Sequence, residues 1–183
     1  MAMDRIALLK GLAKGDANAQ RWLYDHHAPM LYAVCLRYMP DEPVAQDCLQ
    51  EAFITIFGNI GDLRDDKALE GWMKRVTINT CLMALRRRNI TDISIDALQY
   101  DEPLTVDNDP VAAMSAKELL DMISQLPDGL REVFNLFAIE GYPHQEIASL
   151  LGITESNAKV RLNRARGILK GKLDKLGITA IHQ

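Results

Sequence analysis

Cysteine, aromatic residues and long apolar runs are all scarce in this sequence. Its 183 residues include three cysteines, and Phe, Trp and Tyr together make up 6% of the chain. Three cysteines without C-x-x-C spacing give neither a disulfide framework nor a zinc-finger pattern. We therefore expect them to be reduced core residues of a cytosolic protein, at Cys35, Cys48 and Cys81.

Segments that would take the chain into a membrane are missing as well. No apolar run approaches the roughly 18 residues that a transmembrane helix needs. The first residues lack the apolar stretch and the small-residue cleavage site of a signal peptide. These absences predict a cytoplasmic protein without direct membrane insertion.

Motifs typical of catalysis and of cofactor binding are not found. The four histidines stand at no metal-ligand spacing with acidic residues. No glycine-rich phosphate loop, nucleophile elbow or pair of catalytic carboxylates occurs. We expect no catalytic residues, no metal site, no cofactor and no small-molecule substrate, so the sequence argues against an enzyme.

The sequence is rich in helical periodicity. Apolar residues recur at spacings of three and four, whereas the alternation typical of strands is nearly absent. Pro29 predicts a break or kink near Ala28, because proline removes a backbone donor. Asp41 and Thr154 are predicted N-caps, and Ser115-Ala-Lys-Glu118 is a predicted capping box. The predicted helices cover approximately residues 4–14, 16–39, 42–58, 68–88, 115–126, 128–140, 143–151 and 155–173.

An acidic segment divides these helices into two groups. Residues 89–126 hold eight acids against one lysine, together with Pro103 and Pro110. A connection this long is uncommon inside a compact domain. The sequence therefore predicts an all-α fold with two small helical domains, residues 1–90 and 115–183, joined by an acidic flexible linker at residues 91–114.

The net charge of −4 is unusual for a nucleic-acid-binding protein, but the charge is unevenly distributed. Residues 72–88 carry five basic residues and no acid, and residues 156–175 carry seven basic residues against Asp174 alone. Phosphate binding depends on local patches of this kind rather than on the net charge. Both windows are candidate nucleic-acid surfaces.

The second basic window lies in a helix-turn-helix pattern. Ala148 supplies the small residue of the first helix, Gly152 supplies the tight turn, and Ile147 and Leu162 are apolar anchors. Early positions of the second helix would face base edges, and nearby cations would contact phosphates. The alternative is an ordinary helical hairpin with a solvated basic face. The candidate residues are Glu155, Ser156, Asn157, Lys159, Val160, Arg161, Arg164 and Arg166.

The first basic window combines an aromatic residue, cations and an amide on one predicted helix. Such a face suits single-stranded or melting DNA, because cations follow phosphates and polar side chains hold an unstacked base. The loop at residues 61–67 would wall a pocket for a flipped base. The alternative is a solvated helix end, and for Trp72 we favour a place in the core. The candidate DNA-binding residues are Lys74, Arg75, Asn79, Arg86, Arg87 and Arg88.

An acidic stretch precedes this window. Residues 39–66 hold seven acids against Arg64. Such a surface repels phosphates and suits a basic protein partner, with Gln50 and Phe53 alongside. A solubilising face is the equally open alternative.

Together these segments resemble those of the extracytoplasmic-function (ECF) sigma factors, in the sigma-70 family of bacterial RNA polymerase. Asp47-Cys-Leu-Gln-Glu-Ala-Phe53 is similar to the family's polymerase-binding motif. Residues 69–79, ending in Leu85-Arg-Arg-Arg88, are similar to the segment that melts and reads the −10 element. The segments that resemble the domain reading the −35 element are residues 126–134, 141–148 and 159–166.

The resemblance implies a sigma factor that directs the RNA polymerase core to promoter DNA for transcription initiation, commonly under the control of an anti-sigma factor. Residues 1–90 would be sigma domain 2, and residues 115–183 would be sigma domain 4. Asn79 would help to hold a flipped base, and Asn163 would join the −35 residues. The residues implied to contact the polymerase core are Asp47, Gln50, Glu51 and Phe53.

The −35 segment departs from the family pattern. Asn157, Ala158 and Val160 stand where the family often has Thr, Val and Ser, which leaves the promoter sequence open. The alternative function is a stand-alone helix-turn-helix regulator that binds DNA without polymerase. A third possibility is a sigma-like decoy for an anti-sigma factor, against which the intact basic residues argue.

Overall fold

The chain forms helices throughout the part that the structure describes. The computed structural model describes residues 5–63, 68–91 and 116–176, and every regular element within these ranges is helical. The chain divides into two compact units that meet in sequence between Ile90 and Thr91. These observations confirm the predicted all-α class with two helical units. The predicted linker falls outside the described residues from position 92 onward.

The first unit contains four α-helices, and its first two junctions follow from local chemistry. Helix α1 (Arg5–Ala13) ends two residues before Gly15, whose φ of 73° is the left-handed conformation that glycine tolerates. Asp16 then caps helix α2 (Ala17–Tyr38), since its side chain accepts a hydrogen bond from the Ala19 backbone nitrogen at 2.8 Å. The helices are α1 (Arg5–Ala13), α2 (Ala17–Tyr38), α3 (Glu42–Asn59) and α4 (Leu69–Thr91), with a short 3-10 turn at Ile60–Asp62.

Helix α2 runs without interruption through Pro29, so the predicted break near Ala28 is wrong. A proline inside a helix removes one hydrogen bond and crowds the preceding turn. Pro29 lies on the exposed side, whereas Leu23, Leu31 and Val34 of the same helix are buried. Packing of α2 against α1 and α3 therefore offsets the local cost of Pro29, while the kink that was predicted as the alternative to a break stays a prediction.

The core of the first unit gathers the three cysteines. Cys35 of α2, Cys48 of α3 and Cys81 of α4 are free and buried, as expected. Hydrogen bonds with Cys35 and Cys48, together with burial, raise the pKa of the Cys81 thiol. A thiol with a raised pKa stays protonated at neutral pH and is a poor nucleophile. The Cys81 thiol therefore acts as a small apolar side chain between the other two buried cysteines, where three helices meet.

Helix α4 turns toward the core a side that includes Cys81, Leu82 and Leu85. Met73, Thr77 and Ile78 are fully buried, whereas Trp72 is only half-buried. The preference for Trp72 as a core residue is thus met in part. The Thr77 hydroxyl is satisfied within the helix, because it donates to the Met73 carbonyl at 2.9 Å.

The second unit is built around its last and longest helix. Its core joins Met122, Ile123 and Leu126 to Ala165 and Leu169 of that helix. The predicted helix to residue 140 is a shorter helix that continues into a π-helical turn. The elements are α5 (Ala116–Ser124), α6 (Asp128–Phe134), the π turn (Asn135–Ile139), α7 (His144–Leu151) and α8 (Glu155–Lys175).

A buried arginine joins α5 to α6. The guanidinium of Arg131 donates to the carbonyls of Ser124 at 3.1 Å and Leu126 at 2.8 Å, and it pairs with Asp128 at 2.6 Å. Carbonyls at the end of a helix have no partner inside the helix. Arg131 therefore supplies the donors that the sharp turn at Pro127 would otherwise leave missing. The predicted capping box begins at Ser115, outside the described residues.

Candidate nucleic-acid interface

The helix-turn-helix of the second unit has the predicted turn and cap. Gly152 adopts a left-handed φ of 67°, and Ile153 donates its backbone N–H to the Ala148 carbonyl at 3.0 Å. Thr154 caps α8, because its hydroxyl accepts from the Asn157 backbone nitrogen at 3.1 Å. Both features were predicted from local sequence. They set the angle at which α8 leaves α7.

Buried residues on one side of α8 turn its early polar residues outward. Ala158 and Leu162 are buried against the neighbouring helices, and Ile147 of α7 is buried as well. An i, i+4 spacing of buried residues leaves the opposite side of the helix exposed. The predicted DNA-facing residues that are exposed are Glu155, Ser156, Asn157, Lys159, Val160 and Asn163, and the half-buried ones are Arg161, Arg164 and Arg166.

Several of these side chains already bind one another. Lys159 pairs with Glu155 at 2.7 Å, and its hydrogen bond and charge lower the pKa of the Glu155 carboxyl. Arg161 donates from Nε to the Asn157 Oδ1 at 2.8 Å. The Arg166 guanidinium lies 5.6 Å from the centre of the Phe137 ring, within the range of a cation–π contact. The cations are therefore held in defined positions on α8.

His144 at the start of α7 interacts electrostatically with Lys159, Glu155 and Arg166 of α8, and it was not among the predicted residues. Its ring stacks on Phe137, with centroids 4.6 Å apart and an interplanar angle of 18°. Burial first, and then the charge of Lys159, lower the pKa of His144. In the sequence it was considered only as a metal ligand. His144 is the first residue of the helix that leads into the turn, and that position is the sequence signal for its place beside α8.

The basic window of the first unit places basic, amide and aromatic side chains on one side of α4. Arg75, Asn79 and Arg86 are exposed and are spaced by four and seven residues, so they share one side of α4. Half-buried Trp72 begins the same stripe, three residues before Arg75. Lys74 is half-buried, and the remaining two cations, Arg87 and Arg88, are exposed. Residues 64–67 of the loop that was expected to wall a base pocket lie outside the described ranges.

The acidic face of α3 corresponds to the prediction except at one residue. Asp47, Gln50 and Glu51 are exposed. Phe53, however, is 3% exposed, and its ring packs 4.6 Å from that of Tyr24. A side chain buried in this way supports the helix from beneath and offers no surface to a partner, which corrects the expectation that Phe53 makes direct contact.

Ile54 provides the apolar surface that was assigned to Phe53. It is 72% exposed, the largest exposure among the large apolar residues of the described part of the chain. It follows Asp47 by seven residues and Glu51 by three, so the three side chains share one helical face. That i+7 spacing was visible in the sequence. The spacing of Leu49, Ala52 and Phe53 likewise indicates in the sequence that Phe53 lies on the apolar face.

An ion pair connects the acidic face to the basic helix. Arg87 Nη1 lies 3.4 Å from the Glu51 carboxylate, and both side chains are largely exposed. One partner was predicted to contact DNA and the other to contact the polymerase. The two candidate surfaces of the first unit are therefore adjacent, and they share a charge pair.

Comparisons with known proteins identify both units. The model described as sigma-70 region 2 matches residues 23–90, and the model described as sigma-70, region 4 matches residues 116–169. No helix in the described ranges combines the length and apolar character that crossing a membrane requires.

Relatives are similar along most of the chain. The RNA polymerase sigma-H factor of Pseudomonas aeruginosa is 29% identical over 180 residues, which cover 92% of this chain and 93% of that protein. The ECF RNA polymerase sigma-E factor of Escherichia coli K12 is 27% identical over 180 residues, or 92% of this chain and 94% of that protein.

A solved structure supports the same fold. The sigma factor RpoE of Bartonella quintana, in complex with the anti-sigma factor NepR, has a TM-score of 0.53 and 17% identity; the match covers 84% of this chain and 96% of that one. Since regions 2 and 4 occur in order and the relatives span nine-tenths of the sequence, the chain belongs to the sigma-70 family, as a sigma factor of the ECF type.

Proposed function

We propose that the chain is a transcription initiation factor and not an enzyme, and that it directs the RNA polymerase core to specific promoters. One observation carries this proposal: a single chain presents an acidic exposed face on α3 and a helix-turn-helix with an exposed recognition helix. A stand-alone regulator would need only the second surface. The match to sigma-70 region 2 over residues 23–90 therefore disfavours that alternative.

The first unit would bind the polymerase core through the exposed face of α3. Asp47, Gln50 and Glu51 give this face hydrogen-bonding groups and negative charge, and Ile54 adds apolar area. A basic partner surface would be attracted to it, whereas DNA would be repelled. Buried Phe53 would contribute indirectly, because it fixes α3 against Tyr24.

The same unit would hold the −10 element on α4. Arg75 and Arg86 would follow the phosphates of a single strand, and the Asn79 amide between them would hydrogen-bond an unstacked base. Lys74, Arg87 and Arg88 would flank this contact. These roles fit the positions of Arg75, Asn79 and Arg86, which are exposed on one side of α4.

The second unit would read duplex DNA at the −35 element through the early residues of α8. The solved structure that this fold resembles is that of a sigma factor bound to an anti-sigma factor, so we propose an anti-sigma factor as the regulator of this chain too. Since its working partners would be the polymerase core and the promoter, we place the protein in the cytoplasm.

The test combines purified protein with bacterial polymerase core that lacks sigma factor. Core binding and promoter-dependent transcription from cognate genomic DNA are measured for the original protein and for two charge reversals. Asp47→Lys reverses an acid on the proposed core-binding face, and Asp174→Lys reverses an exposed acid of the other unit.

We expect tight core binding and specific transcripts from the original protein and from Asp174→Lys. Asp47→Lys should weaken core binding by about tenfold or more, because it places like charges together. Duplex DNA binding without any core binding would contradict the proposal and favour a stand-alone regulator. Core binding without transcripts would point to the decoy.

A further inference from the structure

Asn157 is fixed at both its backbone and its side chain. It is the third residue of α8, and its backbone nitrogen donates to the Thr154 hydroxyl at 3.1 Å. Its side-chain Oδ1 accepts from the Arg161 Nε at 2.8 Å. The residue is nevertheless exposed, at the end of a recognition helix that meets base edges. Its amide is therefore presented to DNA in a defined orientation.

The chemistry of the partner determines that orientation. The Nε–H of a guanidinium can only donate, so the Asn157 atom that faces it must be the carbonyl oxygen. The amide NH₂ consequently points away from Arg161, and Nδ2 makes no hydrogen bond to the part of the chain that the structure describes. The free end of Asn157 is thus a pair of donors.

Arg161 is itself confined. It is half-buried, and a Cβ placed on Gly129 of α6 would lie 2.8 Å from its Nη1. The guanidinium therefore rests between the α6 backbone at Gly129 and the amide of Asn157. A cation held in this way is poorly placed to reach into a DNA groove, although sequence alone counts it among the DNA contacts.

We propose that Arg161 is a positioning residue that makes Asn157 read the major groove chiefly through its NH₂ donors, with guanine as the preferred base. This inference rests on the proposed function. Free asparagine commonly pairs with adenine through both its oxygen and its NH₂. Because Oδ1 is directed at Arg161, which takes one of its two lone pairs, the double contact with adenine becomes less favourable than donation by the NH₂ alone.

Guanine suits the remaining donors because both of its major-groove groups, N7 and O6, are acceptors. Cytosine presents only a donor there, and adenine presents a donor beside its acceptor. Thymine offers one acceptor. A discrimination of about five- to tenfold in favour of guanine, the lower end for a good base contact, is expected at one −35 position.

The experiment measures base preference and not affinity alone. The full chain, assembled with polymerase core, is incubated with promoter duplexes randomised across the −35 region, and the bound duplexes are sequenced. Asn157→Asp replaces the donors by acceptors, so the preferred base at one position should change from guanine to cytosine. All other positions should keep their preferences.

Two variants test the role of Arg161. Arg161→Lys keeps the charge but loses the Nε–H, and Gly129→Ala displaces the guanidinium from its place on α6. Both should admit adenine at the position where guanine was preferred, with a change of about fivefold in the guanine-to-adenine ratio. Lys170→Arg, a charge-conserving replacement at an exposed position of the same helix outside the candidate DNA contacts, should leave that ratio unchanged.

The outcomes distinguish a failure of the proposed function from a failure of the roles proposed for Asn157 and Arg161. If the assembled original protein enriches no −35 sequence, the proposed function fails. If it enriches a sequence but Asn157→Asp leaves every position unchanged, the inference about Asn157 is wrong. If Asn157→Asp acts as expected while Arg161→Lys and Gly129→Ala remain folded and keep the guanine preference, Arg161 is not the positioning group. If either of the other variants fails to fold, the Asn157→Asp result still tests by itself whether Asn157 contacts the base.

Discussion

Replacing Arg131 by alanine should destabilise the second unit selectively. Arg131 is 4% exposed. Its guanidinium donates to the carbonyls of Ser124 and Leu126 and pairs with Asp128 at 2.6 Å. A buried acceptor left without a partner costs about 1–3 kcal/mol, and removing one partner of a buried ion pair costs about 3–5 kcal/mol. Because Asp128 is partly exposed and water can enter the vacated space, we expect a loss below the sum of these contributions, about 3–4 kcal/mol.

That loss is large for a unit of this size. At about 0.05–0.15 kcal/mol per residue, a unit of roughly 60 residues has on the order of 3–9 kcal/mol of stability. With a urea m-value of about 1 kcal/mol/M, the midpoint of unfolding should fall by about 3 M. Much of the second unit would then be unfolded at low denaturant.

The two tryptophans allow the stability of the second unit to be distinguished from that of the first unit in the intact chain. Trp22 and Trp72 both belong to the first unit, so tryptophan fluorescence reports that unit, whereas far-UV circular dichroism reports both. Arg131→Ala should shift part of the circular dichroism transition and leave the fluorescence midpoint in place. Lys170→Ala removes an exposed cation from α8 and should change stability by less than about 0.5 kcal/mol. An Arg131→Ala protein that matches this control would refute the assignment of Arg131 as the donor that joins α5 to α6.

Three further predictions concern single groups. Thr154→Ala removes the acceptor of the Asn157 backbone N–H, so it should cost about 0.5–2 kcal/mol in urea unfolding and weaken duplex binding by the assembled protein; unchanged stability would contradict the cap. Because folding lowers the pKa of His144, the unfolded chain takes up the proton first, and the free energy of unfolding should fall as the pH drops below the ordinary value of 6.5. His144→Gln should reduce this pH dependence, which denaturant curves at several pH values measure. If the free energy of unfolding changes equally with pH in the variant and in the original protein, the prediction is wrong. A disulfide-based thiol reagent should label none of the three buried cysteines in the folded protein and all three in denaturant; rapid labelling without denaturant would argue against their burial.

Local chemistry determined the helix boundaries that the sequence predicted best. Gly15 and Gly152 adopt the left-handed conformation that ends helices, and Thr154 caps α8 as its position before a helical pattern predicted. Such signals depend on a residue and its neighbours within one turn, so they can be read without knowledge of the fold. The predicted break at Pro29 failed for the opposite reason, because packing of the two halves of α2 outweighed the local cost of proline.

Tertiary packing decided which residues reach the surface and what they bind. Periodicity groups Phe53 with Leu49 and Ile56 on one face of α3, but it does not say how completely the neighbouring helices cover that face. The sequence alone likewise could not bring Arg87 to Glu51, 36 positions earlier in the chain, nor place Arg161 against Gly129. The family, the helices and the two charged surfaces were readable from the order of residues. The orientation of each side chain within them was not, because it depends on contacts between segments that are distant in the chain.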